Sequence, residues 1–242
     1  LVINTPQAKT GSIERHRGWA VLRITNNTLL TLRYKRELTL TFDIVSPSST
    51  TPTIDFLPSD STPPPEKAFF LHHLRAHIAR HAPWSDPKRL VAVVAAGWDR
   101  ALQVAEYVRR LRLSFPTTTA VLTPASSDDS DSVAAVAIVT SSILLPTLRT
   151  RIEVFFNLSL SPSSTDDFPD VQVEPDAKVV YGEGFVRSGM VEFLRARVGK
   201  SVKVEEEKGW DEAVLVLEEV VGGFIGVGVG VGVGVGEEGE EE

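Results

Sequence analysis

Between Leu30 and Ile44 the even positions read Leu, Leu, Tyr, Arg, Leu, Leu, Phe, Ile, and only Arg36 breaks the apolar set. The odd positions between them are Thr31, Arg33, Lys35, Glu37, Thr39, Thr41 and Asp43. A period of two predicts extended chain with one buried and one wet face. Ala20–Thr25 predicts a shorter strand before it, with Asn26 and Asn27 as the turn. Ser46–Pro65 is rich in Pro, Ser and Thr, and its apolar piece Ile54–Leu57 is a candidate strand. The period then lengthens. Phe70, Leu74 and Ile78, with Phe69 beside them, predict a helix over Glu66–His81, stopped by Pro83. Asp86 and Pro87 supply a cap and a first helical residue. The stripe Val91, Val94, Trp98, Ala101, Ala105 and Val108 carries that second helix to Pro116, and Gly97 within it marks a kink or a close crossing.

A polar, acidic stretch, Thr117–Ser132, reads as a loop, after which earlier phrases return. Ala20-Val21, Thr25 and Leu29-Leu30 are echoed 115 residues later by Ala135-Val136, Thr140 and Leu144-Leu145. Leu148, Ile152, Val154, Phe156, Leu158 and Leu160 repeat the two-residue alternation, with Phe155 as an apolar exception on the outer face. Leu74-Arg-Ala-His-Ile returns 120 residues on as Leu194-Arg-Ala-Arg-Val. Several echoes in one order predict two domains of one fold. Val171–Val173 and Lys178–Tyr181 are short strand candidates, Phe185–Val198 a helix, and Trp210–Val221 a closing helix. The expected organisation is a linker or end of an upstream element at 1–17, a first domain at 18–116, a linker at 117–132, a second domain at 133–221, and a disordered Gly/Val- and Glu-rich tail at 222–242. Each domain is an antiparallel meander covered by helices, an α+β class rather than a parallel nucleotide-binding sheet.

Charge and composition narrow the function. The absence of cysteine excludes a disulfide scaffold, a thiol nucleophile and a zinc-thiolate site. The net charge of −7 is concentrated at the end, since Val202–Glu242 holds 12 acidic and 2 basic residues and the body is left at +3. A mildly basic body without a basic cluster argues against direct nucleic-acid binding. No signal peptide is apparent, the start at Leu1 suggests a fragment, and the glycine-diluted Val run is rejected as a membrane span.

Catalytic motifs are weak. Gly199-Lys200-Ser201 has Leu194 where a phosphate loop needs glycine. Gly234, Gly236 and Gly239 fit GxGxxG, but Glu237 and Glu238 inside it would repel a pyrophosphate. His73, His77 and His81 share one helix face without a nearby carboxylate, so they read as a solvated face rather than a metal site. No GxSxG elbow occurs. The expectation is no catalytic set, no metal and no cofactor. Trp98 and Trp210 read as core, while Trp84, next to Pro83, is the best exposed anchor. Arg33 and Lys35, then Arg149 and Arg151, sit at alternate positions and predict a shallow basic face in each copy.

Leu30-Thr-Leu-Arg-Tyr-Lys-Arg-Glu-Leu, Glu66-Lys-Ala-Phe-Phe-Leu, Gly97-Trp-Asp and Val179-Val-Tyr-Gly-Glu resemble the C-terminal region of the outer-kinetochore scaffold family, called Blinkin in animals, its fungal members most of all. The resemblance runs from about Trp19 to Lys200. It implies tandem RWD domains and a scaffold of the kinetochore, at the centromere in the nucleus, that serves chromosome segregation in mitosis. It also implies docking onto the MIND complex through a subunit tail, and a Zwint-like partner for a coiled coil upstream of this chain. The Tyr-Pro-x-x-x-Pro turn of many RWD domains does not occur in the chain. The competing readings are a purely structural dimerisation unit and an unrecognised enzyme with an acid/base pair in a cleft.

Overall fold

A computed structural model describes residues 18–46, 50–58, 62–122, 135–146, 148–161, 167–182, 187–198, 201–202, 210 and 213–226. Four strands come first: β1 (Trp19–Thr25), β2 (Leu29–Tyr34), β3 (Leu38–Asp43) and β4 (Thr53–Phe56). They form an antiparallel meander in the order β1-β2-β3-β4. The segment from Leu30 to Ile44 is therefore a hairpin, not one strand. Its connection holds three residues between the paired Tyr34 and Leu38, and an odd connection preserves parity. Even positions point inward on both arms, so the alternation passes through the turn unbroken except at Arg36, which lies in the turn itself. Leu30, Leu32, Tyr34, Leu38, Leu40 and Phe42 are all buried.

Helices α1 (Pro65–Arg80) and α2 (Pro87–Ser114) cover this face. Asp86 caps α2 as expected, its carboxylate accepting from the Lys88 amide at 2.9 Å. The α2 stripe is wider than the sequence suggests, because Leu90, Val93, Val104 and Leu111 are buried too. The helix touches α1 on one side and elements of the second half on another. Gly97 is a close crossing: a Cβ there would stand 2.7 Å from Leu74 Cδ2 and 3.0 Å from Phe168 Cγ. Trp98 is fully buried at this crossing, edge-on to Phe56.

The second half holds β5 (Thr117–Leu122), β6 (Val136–Leu145), β7 (Thr150–Leu160), β8 (Val171–Tyr181), α3 (Arg187–Arg197), β9 (Ser201–Val202) and α4 (Ala213–Gly226). Its strands make a five-stranded antiparallel sheet in chain order. Residues 117–122, expected to begin a linker, are instead its first strand. The β-branched Thr and Val residues there suit a pleated strand, and Thr117 Oγ1 meets Ser141 Oγ on β6 at 2.9 Å. The two short strands expected at 171–181 are one. Pro175 is tolerated inside it because, among the described residues, β8 pairs beyond β7 only at Val171 and Gln172, with β9. Helix α4 runs to Gly226, past the expected boundary at 222, while residues 227–242 lie outside the described residues.

The fold class is α+β, with each meander followed by helices, and β1–β4–α1–α2 corresponds in order to β5–β8–α3–α4. Leu74 and Leu194 are both buried in the first helix after a meander, so that echo marks equivalent positions. The 115-residue echo does not. It sets the β1–turn–β2 segment against the single strand β6, with Asn26 and Asn27 facing Ser141 and Ser142 at mid-strand. The halves share a hydrophobic core and also meet through polar contacts. Glu66, buried at the start of α1, takes two bonds from Arg112 at 3.1 and 3.2 Å, and Arg112 also reaches Thr119 on β5. Arg100 on α2 donates to the Phe168 and Pro169 carbonyls and pairs with Asp170 at 2.7 Å.

Candidate interaction surface

The basic face expected on the first sheet is largely dismantled by the turn geometry. Alternation places side chains on one side only while the backbone stays extended. Lys35 lies in the β2–β3 turn at φ 45°. Its Nζ reaches Asp99 of α2 at 2.6 Å and stands over the Tyr34 ring. The Tyr34 hydroxyl also donates to Asp99, at 2.8 Å. Burial, then that bond to a carboxylate, pushes the Tyr34 hydroxyl well above the usual tyrosine range. Lys35 thus clamps the turn to α2. Arg33 stays on the outer face, half-buried and opposite Ala20 of β1, while the exposed Arg23 of β1 stands opposite Thr31.

Trp84 is not exposed. It is buried, and its indole Nε1 donates to the Ile78 carbonyl at 2.9 Å. The chain after α1 folds back so that the ring joins His77 and His81. The histidine face is not simply solvated either. His77 is buried against Phe168, and His73 Nε2 lies 3.1 Å from the Ala135 carbonyl. Burial is the main cause that holds the His73 pKa below the ordinary histidine value.

On the second sheet the arginines stand in a better-defined setting. Arg149 is exposed at the tip of the β6–β7 turn, at φ 47°. Arg151 is the second residue of β7, where its Nε donates to Ser142 Oγ at 2.9 Å and its guanidinium meets Glu153 at 3.5 Å. Strand register puts Leu144, Arg151 and Tyr181 in one row across β6, β7 and β8. Leu144 is 55 % exposed and Tyr181 51 %. Val180 is the extra residue of a bulge opposite Arg151 and Ile152, and it too is exposed. A bulge re-aims the side chains around it.

Gly182 fixes the end of this row. Its φ is +103°, and a Cβ there would fall 2.3 Å from Thr150 Oγ1 and 2.6 Å from Thr150 Cα. The end of β8 is thereby pressed onto the start of β7, directly after Tyr181. A tyrosine held by its backbone, beside an arginine and a leucine, has the composition of interface anchors, since little side-chain freedom is left to lose. Leu144, Val180 and Tyr181 do not stand out in the sequence as surface candidates, because only the strand register brings them together. Elsewhere on this half, Glu174, Asp176 and Glu192 line a cleft of 480 Å³, with Arg195 paired to Glu174 at 3.3 Å. That cleft has the opposite sign.

The first half is a four-stranded meander covered by two helices. Residues 5–105 match the model of the Knl1 RWD C-terminal domain. The match spans β1 to β4, α1 and most of α2, and bears out the family resemblance of the sequence. The Knl1 RWD domain is a protein-interaction module of the kinetochore and not a known enzyme class. The second sheet lies beyond the matched segment, and its repetition of the meander is consistent with tandem RWD-like domains. No curated protein and no solved structure shows a significant match to the chain. Among the described residues no helix is long and apolar enough to cross a membrane.

Proposed function

We propose that the chain is a non-catalytic docking module of a kinetochore scaffold, and that it binds the tail of a MIND-complex subunit to serve chromosome segregation. The Knl1 RWD match supports the kinetochore setting, at the centromere in the nucleus. The row of Leu144, Arg151 and Tyr181, with Arg149 at its end, is the observation that carries the site. An exposed aromatic and aliphatic pair beside two arginines suits a tail that mixes acidic and apolar residues. The apolar contacts would supply affinity, and the arginines encounter rate and specificity. A Zwint-like partner belongs to the upstream coiled coil that the family resemblance implies.

The test is a binding titration against reconstituted MIND at two salt concentrations, with circular dichroism as the folding control. Charge reversal by Arg149→Glu with Arg151→Glu weakens binding and flattens its salt dependence. Tyr181→Ala weakens binding by roughly tenfold or more and leaves the salt dependence intact. Unchanged affinity in the folded double variant would reject this face.

A further inference from the structure

Two hairpins of the first sheet turn through a pair of left-handed residues, and the pairs are of different kinds. The β1–β2 turn uses Asn26 and Asn27, at φ 52° and 57°. Asparagine enters that region at small cost because its short amide bonds locally. The β2–β3 turn puts Lys35 and Arg36 there instead, at φ 45° and 60°. Long side chains gain no such local compensation. A strained residue therefore calls for a reason, and for Lys35 the reason is the ion pair with Asp99. Arg36 is exposed and has no hydrogen-bond or ion-pair partner among the described residues. What it does is line a cleft of 380 Å³. Phe56, Leu57, Pro58, Pro63 and Pro64 form the apolar wall of that cleft. Lys67 also lines it, but both Glu37 carboxylate oxygens accept from Lys67, at 2.8 and 2.9 Å, so those two charges cancel. Among the described residues, Arg36 is left as the cation at the rim with no carboxylate paired to it.

We propose that this cleft is a second docking site, which takes a large apolar side chain flanked by carboxylates from an acidic partner segment. The apolar side chain lies against Phe56 and the prolines, and a carboxylate meets the Arg36 guanidinium in a two-bond pair. Three prolines make a wall with little freedom to lose on binding. The inference rests on the reading of the chain as an interaction module, but not on the Arg149–Tyr181 face, which belongs to the other sheet.

The experiment uses the full chain, labelled with nitrogen-15 and followed by amide spectra. The probe is the peptide acetyl-Ser-Asp-Phe-Glu-Ser-amide, and the control is its neutral counterpart, acetyl-Ser-Asn-Phe-Gln-Ser-amide. Saturable shifts are expected at the Arg36, Glu37, Phe56 and Lys67 amides, with the neutral peptide weaker by about fivefold or more. Arg36→Gly then separates function from structure. It relieves the left-handed strain, so the melting temperature holds or rises, yet peptide affinity falls by about the same factor. Arg36→Asn repeats the test with a residue already used in the β1–β2 turn. The proposal is overturned by shifts elsewhere, by equal binding of the neutral peptide, by intact binding in Arg36→Gly, or by a lowered melting temperature in that variant. Concentration-dependent shifts at the same amides without peptide would assign the cleft to a second copy of the chain and also overturn it. Loss of MIND binding in the Arg149/Arg151 variant with retention in Arg36→Gly tells the two sites apart.

Discussion

Gly182→Ala should be among the most damaging single-methyl additions in this chain, and its cost follows from two separate terms. The backbone at φ +103° lies outside the ordinary left-handed well, which costs a residue with a Cβ about 1–3 kcal/mol. The new methyl also meets Thr150 Cα at 2.6 Å and the Arg149 carbonyl oxygen at 2.8 Å. Both are backbone atoms, so no side-chain rotation relieves the overlap, and overpacking adds about 1–3 kcal/mol. The sum is a loss of roughly 2–6 kcal/mol. Gly189→Ala is the control. A Cβ at Gly189, in α3, would meet nothing within 4 Å, so that change should stabilise by up to about 1 kcal/mol. Urea unfolding monitored by tryptophan fluorescence reads both variants. A Gly182→Ala chain within about 0.5 kcal/mol of the parent would refute the claim that this glycine pins Tyr181 in place.

Trp98→Ala should destabilise by about 3–5 kcal/mol, since the ring is fully buried where α2 crosses α1 and β4; an effect below about 1 kcal/mol in the same urea assay would remove Trp98 from the core. The His73 pKa is depressed chiefly by burial, so the unfolded chain binds the proton more readily than the folded one. That contribution to stability is complete above the ordinary histidine pKa of 6.5 and is lost as the pH falls below it. His73→Gln, which keeps a nitrogen donor for the Ala135 carbonyl, should lose less stability than the parent between pH 7.5 and 5.5, and equal losses would contradict the assignment.

The periodicities of the first half carried most of its fold, because burial on one side of each element leaves its period in the sequence. What misled was parity. The three-residue turn at Lys35–Glu37 keeps even positions inward on both arms, so a hairpin reads as one strand. The same turn takes Lys35 off the sheet face, whereas Arg149, left-handed at the β6–β7 tip, borders the second sheet's row from the turn and not by alternation with Arg151. Trp84 read as exposed because a bond from its indole to a carbonyl six residues back leaves no mark in a hydrophobic pattern. Strand β5 was hidden by its threonines, polar in composition but β-branched in shape. The surface row of Leu144, Arg151 and Tyr181 joins residues up to 37 positions apart, and only strand register makes them neighbours. By contrast, the cap at Asp86 and the crossing at Gly97 are local, and both were legible.

The most direct test of the docking function is size-exclusion chromatography with light scattering of the 242-residue chain, alone and mixed with reconstituted MIND complex. The account predicts a monomer that co-elutes with MIND in a one-to-one complex, and loses it when the MIND subunit tails are removed. A chain that forms a constitutive dimer and elutes apart from MIND would contradict the account and favour a structural dimerisation unit.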